Sequence, residues 1–163
     1  IGSEQIISAL FGYGSFTEDS VFNSANALYY FGLGLPAFAL IKVFSTFFFA
    51  NHDTKTPFYI SLVSVLLNIL ISVYFFKDIG FIIIPIATTI SSWFNSLILF
   101  IYLKNNNLFE FNKTFFKQFV KIIFASIMMG IFFQYLILLF EDQLSYTYFF
   151  KSAYILLLSL IHI

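Results

Sequence analysis

Long apolar runs separated by short polar ones dominate the chain, and their length sets what they can be. A membrane-spanning helix needs about 20 predominantly apolar residues. Four segments meet that requirement and a fifth begins to. Segment A runs from about Ala25 to Phe49, interrupted by Gly32, Gly34, Pro36 and one charge, Lys42. Segment B runs from Pro57 to Phe76, with proline at its first position, where the missing N–H costs nothing. Segment C spans Ile79 to Leu103, and segment D about Phe119 to Phe140. Segment E opens near Tyr148 and is still apolar at Ile163. Ahead of A, Ile6 to Phe11 read as the last turns of an earlier helix, Gly12-Tyr13-Gly14-Ser15 as a turn, and Thr17-Glu18-Asp19 as a helix start.

The runs are two to three times too long for buried strands and lack the alternation of a membrane barrel. In lipid only a helix satisfies its own backbone, so each run is predicted to be helical. The expected fold is an all-α, polytopic transmembrane bundle of about five spans. Residues 1–24 are expected to hold the end of a preceding helix and an extracytoplasmic loop, and 25–103 three spans. Residues 104–118 read as a cytoplasmic loop and 119–163 as two further spans, the last truncated. The chain begins mid-pattern and stops inside an apolar run, and so reads as a piece of a longer protein.

Composition agrees with the pattern. Of the 163 residues 60% are hydrophobic, 10% are charged and 26 are phenylalanine, with a mean hydropathy of +0.92. Soluble domains average about 45–50% apolar and about 25% charged. A globule of this size has too little interior to hide such an excess, which excludes a cytosolic enzyme, a nucleic-acid binder and a disordered tail. The net charge of zero argues separately against nucleic acid. With no cysteine there is no disulfide, thiol nucleophile or Cys-ligated zinc.

Charge placement orients the spans. The A–B and C–D loops and the start of D carry Lys55, Lys104, Lys113, Lys117 and Lys121; the opposite side carries Lys77 and Lys151. That asymmetry places the A–B and C–D loops in the cytoplasm.

The exception is Lys42, well inside a span. Eight residues separate it from Ala50, which is about 12 Å along a helix. A lysine near mid-span costs roughly 2.5–3.5 kcal/mol to insert. It reads either as a cavity-facing cation that meets an anionic substrate or as a snorkelling side chain. Polar stripes mark one face of three spans: Ser61, Ser64, Asn68 and Ser72 on B; Thr88, Ser92 and Asn95 on C; Ser126, Gly130 and Gln134 on D. Small and hydroxylated residues there suit helix packing. Asn68, Asn95 and Gln134 are dearer to bury and also suit a cavity or an ion. Gly34 and Pro36 form a candidate hinge in A, with a static bend as the alternative. His52 and His162 have no partners at metal-ligand spacing. No paired carboxylates lie within the spans, and no Ser/His/Asp set or phosphate loop appears, so nothing points to an enzyme, a cofactor or a metal centre.

One order of motifs is distinctive. Phe11-Gly12-Tyr13-Gly14-Ser15-Phe16-Thr17 precedes Gly32-Leu33-Gly34-Leu35-Pro36 and Ile41-Lys42-Val43, and Phe49-Ala50-Asn51-His52-Asp53-Thr54-Lys55-Thr56-Pro57 follows. This series resembles the MurJ (MviN) family of lipid II flippases in the MATE-like exporter superfamily, most specifically in Asp53 to Pro57. The resemblance implies a fourteen-helix fold in which A, B and C are the tenth to twelfth helices and D and E the last two. It implies a multi-pass protein of the bacterial inner membrane that serves peptidoglycan biosynthesis. The activity would be flipping of undecaprenyl-pyrophosphate-linked precursor, lipid II, by alternating access. The implied partners are that lipid-linked substrate, membrane lipids and the helices that precede this chain. Lys42 matches a family lysine and, with Asn95 and Gln134, is a candidate for the substrate cavity. The resemblance also puts Asn68, Ser72, Ile84 (through its carbonyl) and Thr88 at possible cation-ligand positions, with Ser72 where an aspartate is expected. Kindred readings are a polysaccharide-lipid or drug exporter of the same superfamily. A polytopic membrane glycosyltransferase would need an acidic loop at the membrane face, for which Glu18-Asp19 and Glu141-Asp142 are the candidates.

Overall fold

Each apolar run covered by the computed structural model is helical; the structure describes residues 2–106 and 113–139, with side chains from 117 in the latter stretch. In chain order the helices are α1 (Ser3–Phe11), α2 (Glu18–Ala50), α3 (Lys55–Ile79), α4 (Ile83–Asn105) and α5 (Lys113–Leu139), with a 3-10 turn at Gly80–Ile82. No strand occurs among the described residues. Three continuous helical runs are long and apolar enough to cross a membrane: α2, the run Lys55–Asn105, and α5 from Lys117. The middle run is a hairpin of two passes, since α3 and α4 have about 37 Å and 34 Å of helix at 1.5 Å per residue. The chain is a multi-pass membrane protein. Segment E lies outside the described residues.

The helices extend past the apolar runs because polar caps, not hydropathy, decide where they begin. Helix α2 opens at Glu18, where Thr17-Glu18-Asp19 reads as a helix start, so residues 18–24 precede the apolar run as its first turns. Thr17 Oγ1 accepts from the Ser20 N–H at 3.3 Å, and Glu18 and Asp19 place negative charge at the positive end of the helix. Helix α3 likewise starts at Lys55 rather than Pro57. Asp53 Oδ1 accepts from the Lys55 and Thr56 N–H groups, both at 3.0 Å. Pro57 falls in that first turn, where an N–H has no partner within the helix. His52 turns the chain between α2 and α3 with φ 58°. Ile79, expected to open the next span, instead ends α3: Gly80 adopts φ 74° and its N–H returns to the Phe76 carbonyl. Helix α5 starts at Lys113, inside the stretch expected to be loop.

Two compact units divide the chain, one of residues 1–26 with the segment from 111 onward, the other of residues 27–110. In the first, Ala9, Val21, Ala25 and Ile137 are buried. Gly2 lies against α5 so closely that a Cβ there would stand 2.7 Å from the Phe133 ring.

The second unit packs the rest of α2 with α3 and α4. Asn68 bonds Thr88, and Asn95 bonds Ser61, two pairs centred on the same residue, 78. Helices α3 and α4 are therefore an antiparallel hairpin. Helix α2 runs parallel to α4, because partners rise together along both: Thr89 with Tyr30, Trp93 with Leu33, Phe100 with Phe44 and Tyr102 with Phe48. Phe44, Phe48, Leu99 and Leu103 form the buried apolar cluster, flanked by Ile41 and Ile60.

Helix α2 is continuous through Pro36. Proline has no N–H, so the Gly32 carbonyl loses its donor in the helix. The carbonyls on either side are secured by α4: Tyr30 O accepts from the Thr89 hydroxyl at 2.7 Å, and Leu33 O from Trp93 Nε1 at 3.1 Å. Gly34 makes the approach possible, since a Cβ there would lie 3.0 Å from Thr89 Oγ1 and 3.2 Å from the Phe38 ring.

Two outcomes follow. Gly34→Leu must push α2 off α4 and should lower the unfolding free energy of the full-length protein in detergent by about 1–3 kcal/mol. Gly32→Ala, with nothing within 4 Å of the added carbon, should melt like the wild type. The Asp53 cap gives a pH signature. The Thr56 side chain foremost, then the Thr56 N–H, holds its carboxyl below the ordinary value of 3.8; desolvation opposes them, and the Lys55 N–H and charge add to the lowering. A depressed folded value stabilises above the ordinary one and is lost as pH falls through the folded one. Protection of the Lys55 and Thr56 amides from hydrogen exchange should accordingly be level above pH 3.8 and decline below it. In Asp53→Ala it should be low throughout.

Candidate functional site

The polar stripes of the α3–α4 hairpin face each other, with α2 closing the third side. Between the three helices lies a cavity of about 310 Å³, walled by Ser61, Ser64 and Asn68 of α3, by Thr88, Ser91, Ser92 and Asn95 of α4, and by Phe38 and Ile41 of α2, among others. A stripe that would be costly against lipid thus meets its like on the neighbouring helix.

Asn68, Ser72, Ile84 and Thr88 are brought together. Ser72 Oγ donates to Asn68 Oδ1 at 3.2 Å, Asn68 Nδ2 donates to Thr88 Oγ1 at 3.1 Å, and the Thr88 hydroxyl donates to the Ile84 carbonyl at 2.8 Å. Each member serves the next, and all the oxygens are neutral. Among the described residues no three His, Cys, Asp or Glu side chains gather as a metal centre.

Asn95 sits one to two turns further along α4 and is buried, at 7% exposure. Its Nδ2 donates to Ser61 Oγ over a long 3.4 Å, while its Oδ1 is buried with no partner. Around it Ser64 donates to the Ile60 carbonyl, and Ser91 and Ser92 both donate to the Thr88 carbonyl, at 2.9, 3.0 and 2.7 Å.

Lys42 and Asn95 do not share a site in this unit. Lys42 is exposed on α2, beside the packed Ile41 but off the cavity wall. Helical rotation of about 100° per residue carries it away from the α3–α4 side. Gln134 is exposed on α5, in the other unit, as is Ser126, and Gly130 is half-buried, so the stripe expected on that span is not a packed face among the described residues. Gly34 is buried against Thr89 and Pro36 is exposed. Thr89 and Trp93 escaped the sequence reading. Their partners are backbone carbonyls of α2, which no side-chain periodicity reveals.

Comparison with known proteins bears on this arrangement. The family model described as lipid II flippase MurJ matches residues 1–155. A probable lipid II flippase MurJ of Rickettsia prowazekii is 37% identical over 100 residues, covering 61% of this chain and 20% of the relative. That of Buchnera aphidicola subsp. Baizongia pistaciae is 31% identical over 141 residues, 86% of this chain and 26% of the relative. That of Thermotoga maritima is 34% identical over 128 residues, 78% and 25% respectively. The chain thus spans about a fifth to a quarter of the length of these relatives. The apolar helical bundle, the motif series through Asp53 to Pro57 and a match over nearly the whole chain agree, and the chain belongs to the lipid II flippase MurJ family.

Proposed function

We propose that this chain is the C-terminal portion of a lipid II flippase and forms one flank of the route by which undecaprenyl-pyrophosphate-linked precursor crosses the bacterial inner membrane. It acts as a transporter, not an enzyme. The observation that carries the reading beyond the family match is Lys42. It is the only charge of α2 beyond its first turn, and its own three-helix unit leaves it exposed. An ammonium held at this depth is already stripped of much of its water, which raises its attraction to a phosphate. At 4 Å and an effective dielectric of about 20, each such pair is worth about 4 kcal/mol before the phosphate's own dehydration. A pyrophosphate, with several negative oxygens, suits a cavity completed by cations on helices that precede this chain. Gln134 would line the same route from the other unit as a neutral hydrogen-bonding group.

Alternating access requires parts that move as bodies. The ties from Thr89 and Trp93 to α2, and those within the hairpin, support α2, α3 and α4 as one such body, with Gly34 and Pro36 a secured bend rather than the moving joint. The Asn68 relay belongs to this fastening. A monovalent cation there would have to displace hydrogen bonds that the four residues already satisfy among themselves, with no carboxylate to offset its dehydration. The set fits a closed hydrogen-bond relay better than an ion, and no transport step is assigned to a cation.

Complementation tests the reading. The full-length gene should restore growth to bacteria depleted of their own flippase, and failure of the wild-type gene to do so would overturn the assignment. Lys42→Ala should reduce lipid II flipping at least tenfold at unchanged protein level, with Lys42→Arg retaining most of it; full activity of Lys42→Ala removes that residue from the route. For the relay, a double-mutant cycle of Asn68→Leu and Thr88→Val should give a coupling of about 0.6 kcal/mol, and at most about 1.7, as for polar pairs in other membrane bundles. Flipping should be unaffected when sodium is replaced by choline.

A further inference from the structure

The groove between α2, α3 and α4, open on the side of the exposed Phe38 and Val65, carries polar groups out of balance at its inner end. The hydroxyl hydrogens of Ser64, Ser91 and Ser92 are spent on helix carbonyls, which leaves their oxygens as acceptors. Asn95 Oδ1, on a side chain more than nine-tenths buried, is an acceptor with no donor. Reversing the amide merely exchanges the orphan, since Ser61 can serve only one of its two ends. An unmade hydrogen bond on a buried amide is costly, and a void with this lining is not of the apolar kind that stays dry.

Whatever fills the space must donate hydrogen bonds and must also be able to accept them, and among the described residues no charged side chain lines it to favour an ion. Water meets these demands. At about 30 Å³ each, 310 Å³ has room for several molecules. We propose that the inner end of this groove is a water-binding site: ordered waters, anchored on Asn95 and Ser61, complete the hydrogen bonding of the α3–α4 hairpin where α2 packs over it. The inference is independent of the cargo and of Lys42, which stands outside the groove wall.

X-ray radiolytic footprinting of the full-length protein in lipid nanodiscs tests it, because hydroxyl radicals made from bound water oxidise the side chains beside it. Phe38 and Ile41, on the groove wall, should be oxidised several-fold faster than Phe31 and Ile60, which are similarly exposed but stand off it. Asn95→Leu, which removes the anchor and fills part of the space, should slow oxidation of Phe38 and Ile41 at least threefold and lower the melting temperature. Equal oxidation of Phe38 and Phe31 and of Ile41 and Ile60 in the wild type would overturn the proposal. So would a higher melting temperature in Asn95→Leu, the result expected if a dry, unpartnered amide were relieved. Should that variant fail to fold, the wild-type rates decide the matter alone.

Discussion

A proline in the middle of a membrane helix creates a problem that lipid cannot solve. Hydrocarbon offers no donor to a carbonyl that has lost its N–H partner, so another part of the protein has to attend to that stretch of backbone. Helix α4 packs along that stretch and gives a threonine hydroxyl and a tryptophan indole to the Tyr30 and Leu33 carbonyls, which flank the Gly32 carbonyl and keep their own helical donors. The absence of a side chain at Gly34 brings the backbones near enough. The hydrophobic effect contributes little between helices surrounded by hydrocarbon, and packing and polar contacts have to hold them together. The apolar cluster of Phe44, Phe48, Leu99 and Leu103 acts through close fit, but it does not dictate which faces meet. The polar contacts do.

Those contacts fall into two kinds, which separates structure from function within a single unit. The run from Ser72 through Asn68 and Thr88 to Ile84 is closed, since each group is answered by the next. Asn95 and Lys42 are open. Asn95 faces inward with an acceptor to spare, and Lys42 faces away from its own unit with its charge unspent. Closed groups fasten helices, whereas open groups require something that the three helices do not themselves contain.

Much of this was legible in the sequence, for reasons that also explain what was not. The spans could be read from length because lipid forces an apolar run into a helix. Hydropathy alone did not give their ends: the start at Thr17-Glu18-Asp19 was legible as a cap, whereas Asp53 and Gly80 set the others in the watery margins, where hydropathy is silent. The stripe Ser61, Ser64, Asn68, Ser72 and its counterpart Thr88, Ser92, Asn95 follow helical periodicity, and their meeting is what that periodicity requires. Ser126 and Gln134 follow the same periodicity on α5 and are exposed in the described part of their unit. Spacing could not tell that Asn95 and Lys42 point to different compartments. That depends on which face of α2 packs, and Gly34 and Thr89 decide it through the backbone.

The turn at Gly80 also has a bearing on how the protein is made. So short a link delivers α3 and α4 to the membrane almost together, and the register centred on residue 78 sets Asn68 opposite Thr88 and Asn95 opposite Ser61 as they enter. Each amide can then shed water against a partner instead of against lipid. The polar ties that fix the finished hairpin thereby also ease its insertion, and a longer or looser connection would leave two asparagines to cross the bilayer unaccompanied.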